Sequence, residues 1–539
     1  MVVSEKIAAR KQFWKRGEPW VWITGGAASM MLLLIFILII LIATKGLATF
    51  WPAPVLLVTM ADGSRILGEK IETESDRKSK EPKIQFKIGN RDIYGLDFRW
   101  LEKSKIATES LPPDIVMVER EEYGNFYGYF SRLNLNNIEV AGEGATESRL
   151  RDALQATADQ FRSLQIYREK IAEINARMQE IETAEKKAAY YDKDQSRPSG
   201  VQQEKALLQE EFSRSLDELT LQEARLTENT VVFTSIEGTE KEVALGHIVR
   251  VTWPNRMSPG EKTSYYFERL RELFFDNPRE SNTEGGLYPA ILGTIMLVFL
   301  MTFSSFPLGV ITGIYLREYA KDGPVVRIVR IAVNNLAGIP SIVYGIFGLG
   351  FFIYGIGSRF DSLVFPEYYP EPVFGTGGIM WASLTLGILT IPVVIVSVEE
   401  SLGSIPKAVR ESSLALGATQ LQTLMKILLP MASPGIMTGF ILAMARAAGE
   451  VAPLMITGVV KLAPTLPLDG SFPFLHLDRK FMHLGFHIYD ISSQSPNVEA
   501  AKPMVYVTTL LLILIVLSMS GAAIYLRNRM KKSFTMSAI

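Results

Sequence analysis

Six stretches of this chain are too long and too apolar to sit inside a soluble domain. The hydrocarbon core of a bilayer takes about 20 apolar residues of helix, and residues 22–44, 287–316, 331–356, 378–398, 434–459 and 504–526 each meet that length. No water reaches a backbone there, so each segment must close its own hydrogen bonds as a helix. The chain therefore reads as an α-helical polytopic membrane protein with six spans. Composition adds exclusions. A net charge of −1 over 539 residues fits no nucleic-acid binder, and the lack of cysteine rules out disulfides and thiolate-held metal.

Orientation follows from where Lys and Arg fall beside the spans. Lys6, Arg10, Lys11, Lys15 and Arg16 precede the first; Arg317, Lys321, Arg327 and Arg330 lie between the second and third; Arg527, Arg529, Lys531 and Lys532 follow the last. All three segments are expected in the cytoplasm, with basic tails at residues 1–21 and 527–539. Alternation then places residues 399–433 inside as well, where Lys407, Arg410 and Lys426 lie, and leaves residues 47–286 outside. The first apolar run is long for a signal peptide and lacks a small-residue cleavage site. Residues 22–46 are thus expected to stay as an uncleaved anchor, with Trp14, Trp20 and Trp22 in the inner interface belt.

Between residues 47 and 286 the composition is that of a soluble domain. Leu56-Leu57-Val58 with a turn at Ala61-Asp62-Gly63, Lys83 to Ile88, and Asp114 to Val118 read as strands; the pattern returns at Val231 to Phe233 and Val249 to Trp253. Strands are expected over about 55–140 and 229–254. In between, Leu164, Tyr167, Ile171, Ile174, Met178 and Ile181 are spaced by threes and fours, the seam of a coiled coil. Arg197-Pro198-Ser199-Gly200 ends that helix, and Val201, Leu208, Phe212, Leu219 and Leu226 mark a second. The expectation is an extracytoplasmic β-domain carrying an inserted antiparallel coiled-coil hairpin over about 146–227, projecting away from the membrane. Two roles fit it equally: a docking or spacing arm for an external binding protein, and a stabilising decoration.

The segment from Glu411 to Pro430 has helical habit on both sides of Gly417, a hinge able to take positive φ. Glu411-Ser412-Ser413, then Gly417, then Ile427 and Pro430 resemble the EAA loop of ABC importer permeases, of the form E-A-A-x3-G-x9-I-x-L-P, with serines in place of both alanines. In that family the loop docks on a separate ATPase. The resemblance therefore assigns Glu411, Ser412, Ser413, Gly417, Ile427 and Pro430 to ATPase coupling.

Three further stretches narrow the likeness. They are Gly338-Ile-Pro-Ser341-Ile-Val-Tyr-Gly345, Leu386 to Pro392 leading into Glu399-Glu400, and Ala443-Met-Ala-Arg446-Ala-Ala-Gly449-Glu450-Val-Ala-Pro453-Leu454. The last is similar to a fifth-helix motif, A-R-x-x-G-E-x-A-P-L. Together these stretches resemble the A-type permeases of phosphate-specific (Pst) ABC importers over about the last half of the chain, in a long form with an outward insertion. The resemblance implies a MetI-like permease core with five spans over residues 287–526 and inorganic phosphate as substrate. It implies as partners a homologous C-type permease, a homodimeric ABC ATPase and an extracytoplasmic phosphate-binding protein, in the bacterial inner membrane with its lipid. A phosphate-signalling regulator is a further partner open to such a chain.

Arg446 and Glu450 carry a chemistry of their own. Arg446 lies about a dozen residues from either end of its apolar run, where an arginine costs about 2.5–3.5 kcal/mol to insert. Glu450 follows at i,i+4 and can pair with it. A guanidinium suits a tetrahedral oxyanion, so Arg446 is the candidate transient phosphate contact and Glu450 its counter-ion or gate. An ion pair bracing the subunit interface is the plainer alternative. Gly449 reads as a point of close helix approach and Pro453 as a bend.

Asn334, Asn335 and Ser341 are candidate path-lining groups within or entering the third span, or simply hydrogen-bonding groups between helices, and Pro340 is expected to kink that span. His483 and His487 have the spacing of a helical metal pair, but no third ligand accompanies them and no metal is assigned. No Gly-x4-Gly-Lys-Ser/Thr loop occurs, so ATP hydrolysis falls to another subunit, and neither a cofactor nor an enzyme activity is expected. Two rivals stay open: a permease for another oxyanion such as molybdate, sulfate or phosphonate, and a membrane sensor or scaffold in phosphate signalling.

Overall fold

A computed structural model of the chain describes residues 15–75, 81–135, 138–141, 147–191, 199–368, 370–470, 472–495 and 497–536. Lys6, Arg10, Lys11, Trp14 and the helix break at Arg197-Pro198 lie outside the described residues. Helix α1 (Glu18–Ala48) leans on one neighbour, the last long helix, where Gly46 comes against Tyr506 and Leu510. The rest of its apolar surface is uncovered.

After α1 the chain builds two antiparallel sheets. The first holds β1 (Val55–Met60), β2 (Arg65–Ser75), β3 (Pro82–Lys87), β4 (Phe98–Glu102) and β5 (Ile106–Ser110) in the order β4-β3-β2-β1-β5. The second holds β6 (Val116–Arg120), β7 (Phe126–Leu135), β8 (Ile138–Ala141), β9 (Thr230–Thr234), β10 (Glu240–Ala244) and β11 (Ile248–Thr252), in the order β10-β9-β7-β6-β11 with β8 on β7. The sequence reading does not separate these strands into two sheets. Strands such as β2, β5 and β10 are hard to see in the sequence because they are largely polar on both faces, leaving no alternation to detect. Each sheet has its own core, Ile84, Phe86 and Leu101 in the first and Val118, Phe126, Leu133 and Phe233 in the second. Val55, Leu67, Ile115 and Tyr127 form a third cluster, with residues from both sheets.

The helices α2 (Glu147–Tyr191) and α3 (Ser199–Glu228) are inserted between β8 and β9. Leu164, Ile174 and Ile181 are buried along one line of α2, and Phe212, Leu219 and Leu226 lie buried or half-buried on α3, which is the packing a three-four spacing dictates. The hairpin does not project away from the other helices, as the sequence reading expects. Near its far end Thr183 shares a 2.5 Å hydroxyl hydrogen bond with Tyr368, in the loop between the third and fourth apolar helices.

Helix α4 (Pro259–Phe275) opens on a capping box in which Ser258 and Glu261 satisfy each other's backbone N–H. It leads through β12 (Pro278–Arg279) and β13 (Glu284–Gly285) to the core. A buried carboxylate ties this path to the second sheet. Glu119 of β6 accepts from Arg269 at 2.6 Å, Arg279 at 2.9 Å and Arg250 at 3.1 Å. Burial alone would push its carboxyl up, but the guanidinium charges of Arg269, Arg250 and Arg279 outweigh that and hold it below the usual glutamate range.

The core follows as α5 (Tyr288–Ile314), α6 (Pro324–Leu336), α7 (Ser341–Phe347), α8 (Ile379–Gly403), α9 (Lys407–Ala415), α10 (Gln420–Thr423), α11 (Leu429–Gly449), α12 (Ala452–Thr457), α13 (Leu484–Ser493) and α14 (Val498–Met536). Among the described residues six helices are long and apolar enough to cross a membrane: Pro19–Ala48, Tyr288–Tyr319, Ser341–Val364, Ile379–Gly403, Gln420–Gly449 and Val498–Arg529. The third begins ten residues later than the expected 331–356. In the sequence its apolar run merges with α6, an amphipathic helix set apart by the turn at Gly338 and by Pro340, which ends the turn as the N-cap of α7 rather than kinking a span. The fourth is the most enclosed, packed on α5 and α11 around Leu297, Met301, Leu386, Leu389 and Ala447. Helix α11 crosses α8 at Gly435 and Gly439, where a Cβ would stand 2.0 Å and 2.5 Å from the side chains of Ser401 and Ser397. Only glycine permits that approach.

Candidate substrate path and coupling loop

Helices α9 and α10 are short amphipathic pieces joined through Gly417, whose φ of +85° is a left-handed conformation that favours glycine. The turn is closed by the Gly417 N–H donating to the Leu414 carbonyl and capped again by Thr419, which accepts from the Gln422 N–H. Ser413 is buried and its hydroxyl shares a 2.8 Å hydrogen bond with Thr423, locking one short helix to the other. Glu411, Ser412 and Gly417 are exposed on the outside of the bend, beside Leu416, which is 89% exposed. Ile427 and Pro430 are half-buried where the loop passes into α11. Pro430 follows directly on the π-helical turn Leu424–Leu428, inside the helical run from Gln420, so the wider turn stands where its missing N–H would have bonded.

Two arginines outside the sequence-based assignment brace this loop. Arg410 donates to both carboxylate oxygens of Glu318 at 3.1 and 2.7 Å and to the carbonyls of Leu402 and Ile405. Arg330 of α6 donates to Glu399 of α8 at 3.1 Å and to the Leu316 carbonyl. The signal for the first pair is present in the sequence, since Arg410 immediately precedes Glu411.

Further along the same helix, Arg446 stands in the last turn of α11. Glu450 has left the helix, with φ −80° and ψ 133°, yet its carboxylate lies 3.5 Å from the Arg446 guanidinium. Both side chains are partly open, 31% and 22% exposed. The uninterrupted run expected over 434–459 is therefore corrected to a helix, a break at Glu450-Val451, and the short helix α12. Pro453 sits in the first turn of α12, so it begins the second piece and does not bend the first. Gly449 is also corrected: nothing stands within 4 Å of where its Cβ would be, because the helix ends there in open space. The close approach is instead at Gly345 of α7, where a Cβ would meet Pro453 Cα at 2.8 Å.

Tyr344 belongs to this site and escapes the sequence reading as a polar group, although it lies within the quoted Gly338 to Gly345 stretch. Its hydroxyl donates to the Leu336 carbonyl at 2.7 Å, pinning α6 to α7, and its ring lies in one buried cluster with Ala447 and Leu454, on either side of the Glu450 break. Asn334 and Asn335 are exposed on α6, so they precede the third span and are not within it. Ser341 opens α7 and is half-buried. Among the described residues the side chains of Asn334, Asn335 and Ser341 make no hydrogen bond to Arg446 or Glu450.

His483 and His487 are both buried between the fifth and sixth spans. They do not share a helix face, because His483 is the N-cap of α13 and its Nδ1 accepts from the Gly485 N–H at 3.1 Å. Burial pushes both imidazoles down to about 4, with the Lys461 charge adding to the effect on His487.

Residues 305–532 match the family described as binding-protein-dependent transport system inner membrane component. The chain is 34% identical over 221 residues to the "Probable phosphate transport system permease protein PstA" of Methanocaldococcus jannaschii, covering 40% of this chain and 67% of that protein. It is 31% identical over 223 residues to the "Probable ABC transporter permease protein YqgI" of Bacillus subtilis, covering 40% and 70%. The phosphate transport system permease protein PstA of Mycobacterium leprae is 36% identical over 172 residues, covering 32% of this chain and 51% of that one. A solved inward-facing methionine ABC transporter aligns at 20% identity and a TM-score of 0.34, over 45% of this chain and 95% of the other. Residues 1–304, with both sheets of β1 to β11 and the hairpin, fall outside the family match.

Proposed function

Because the chain belongs to the PstA-type permeases of the binding-protein-dependent transport system inner membrane component family, we propose that it is the transmembrane subunit of an ATP-driven importer of inorganic phosphate. The observation that carries the reading is a single helical run. Gln420–Gly449 extends from the Gly417 bend at one end to Arg446 at the other. A push on Glu411, Ser412 and Gly417 by a separate homodimeric ATPase reaches the guanidinium through helix rather than through slack chain. Arg446 offers phosphate a planar fork of donors, and Glu450 holds that fork until substrate displaces it. The partial exposure of both side chains fits a path completed by a homologous C-type permease.

The basic residues beside the spans support a multi-pass inner-membrane protein with both termini in the cytoplasm. On that orientation the two sheets and the hairpin are extracytoplasmic, on the side where a phosphate-binding protein delivers its cargo. The hairpin's inward-facing seam supports the coiled-coil reading. ATP hydrolysis belongs to the partner subunit.

The test is uptake of radiolabelled phosphate at micromolar concentration, in cells lacking their own copy, complemented with the intact chain or with Arg446→Ala at matched membrane expression. Intact chain restoring uptake, and the variant failing, is the expected result. Stronger competition by molybdate, sulfate or phosphonate than by phosphate would transfer the reading to that oxyanion. Uptake unchanged without the chain would leave a sensor or scaffold.

A further inference from the structure

The helical hairpin is rooted at one end and touches the core at the other, and the two attachments differ in kind. At the root, Leu150 of α2 is wholly buried in the core of the second sheet, Arg151 stacks 5.7 Å over the Trp253 ring, and Leu226 of α3 packs on Gly246. That sheet is fastened in turn, through the Glu119 cluster, to α4 and β12, the path that leads into the second span. The first sheet is fastened to the start of the last span, where Gln85 donates to Glu499 at 2.9 Å and Asn497 donates to Asp97 at 2.6 Å. About 54 Å from the start of α2, at 1.5 Å per residue, the hairpin reaches the loop between the third and fourth spans.

There the contact is polar and thin. Besides the Thr183–Tyr368 hydrogen bond, Lys187 lies 3.9 Å from Glu367, Lys186 lies 3.9 Å from Glu371, and the Lys186 ammonium sits 5.3 Å from the Tyr368 ring centre. The Glu367 side chain is 1% exposed, neither of its oxygens accepts a hydrogen bond, and Lys187 is its ion partner among the described residues at the outer limit of such a pair. A carboxylate held this way loses hydration that the ion pair does not return. The Lys187–Glu367 pair therefore holds the seat closed at little net gain.

The loop under the seat is firmly part of the core. Asp361 accepts from the N–H groups of Phe374 and Gly375, and the Phe374 carbonyl accepts from the Trp381 indole at 2.7 Å. The hairpin thus runs from the second sheet, at its root, to the loop between the third and fourth spans, at its tip. We propose that its tip is a reversible latch, seated in one state of the transport cycle and released in another. This rests on the chain being an ATP-driven permease, not on which anion it carries.

The chain's lack of cysteine makes the test direct. Ala188→Cys and Ser362→Cys, both exposed positions near the seat, are spin-labelled in the assembled complex with its ATPase and partner permease. Pulsed EPR then compares the nucleotide-free complex with one trapped by ATP and vanadate. A second labelled pair, Leu416→Cys on the chain and an exposed site on the ATPase, reports that trapping has moved the coupling loop. A short distance in one state and a longer, broader one in the other supports the latch. Lys187→Glu should shift the population toward the long distance several-fold, and Lys187→Glu with Glu367→Lys should return it. An unchanged tip distance while the loop pair moves overturns the proposal, as does full ATP-dependent uptake with the tip and loop cysteines bridged by a short bismaleimide. If the distances respond but phosphate is not taken up, the latch stands and the phosphate assignment falls.

Discussion

The Arg446 guanidinium and the Glu450 carboxylate face each other, 3.5 Å apart, across the end of a helix that only Arg446 still belongs to. The pair therefore closes a break in the backbone and does not merely decorate a helix face. Opening it frees a partly exposed charge of each sign, and an oxyanion can take the place of the carboxylate at the arginine.

Arg446→Ala should reduce phosphate uptake to background at normal expression. Arg446→Lys keeps the charge and loses the two-pronged geometry, so its KM for phosphate should rise by roughly tenfold or more. Glu450→Gln should weaken the hold on the arginine, leaving phosphate bound longer and lowering the maximal rate more than the affinity. Initial rates against phosphate concentration separate these outcomes.

Gly417→Ala forces a side chain into φ +85° with no neighbouring atom in the way. The left-handed penalty of about 1–2 kcal/mol should distort the bend and uncouple ATP hydrolysis from uptake, with the subunit itself still stable. Ser413→Val, which removes the hydroxyl bonded to Thr423, should do the same more weakly. ATPase co-purification and vanadate-sensitive uptake are the readouts.

Glu119→Gln removes the charge on which three guanidiniums converge. Breaking a buried pair from one side costs about 3–5 kcal/mol, so the sheet domain should melt several degrees earlier. Glu242→Gln, on the exposed side of the same sheet, should leave the melt nearly unchanged. Differential scanning fluorimetry of the detergent-solubilised complex measures both.

His483 and His487 give a pH dependence of known sign. Folded, they titrate at about 4; unfolded, near 6.5. Between those values the unfolded chain binds more protons, so stability falls as pH drops from about 6.5 toward 4 and these two groups add no further slope below that. Asp490 pairs with Lys461 at 3.2 Å beside them. A His483→Asn, His487→Gln variant should melt with a slope flatter by up to about two protons over the same window.

The six apolar helices are legible because hydropathy sums over 20 residues. Where one apolar helix runs into another, the sum cannot tell them apart, which is why α6 is absorbed into the third span. The break after Gly449 has a local signal, since Pro453 has no N–H for the Gly449 carbonyl; what the sequence does not show is that Pro453 starts a second helix rather than bending the first, with Val451 beside Gly485 and Pro453 beside Gly345. Helix α4 is the reverse case, with a Ser258-Pro-Gly-Glu261 start signal present and passed over. The Glu119 cluster draws on residues up to 160 positions apart, and no local pattern announces such a meeting. In the candidate path, Arg446 and Glu450 can be picked out as charges in an apolar run; Tyr344, half apolar itself, cannot.

The crossing of α11 over α8 at Gly435 and Gly439 sets a mechanical ratio. Treated as a rigid rod pivoting near residue 437, the run from Gln420 to Gly449 has an arm of about 26 Å toward the Gly417 bend and about 14 Å toward Arg446. A tilt of about 10° would carry the bend about 4 Å one way and Arg446 about 2 Å the other. On the proposed coupling role, a large, weak stroke at the loop would arrive as a short, forceful one at the guanidinium. That is the gearing needed to pull apart a pair of charges standing 3.5 Å from each other without dragging the rest of the core along.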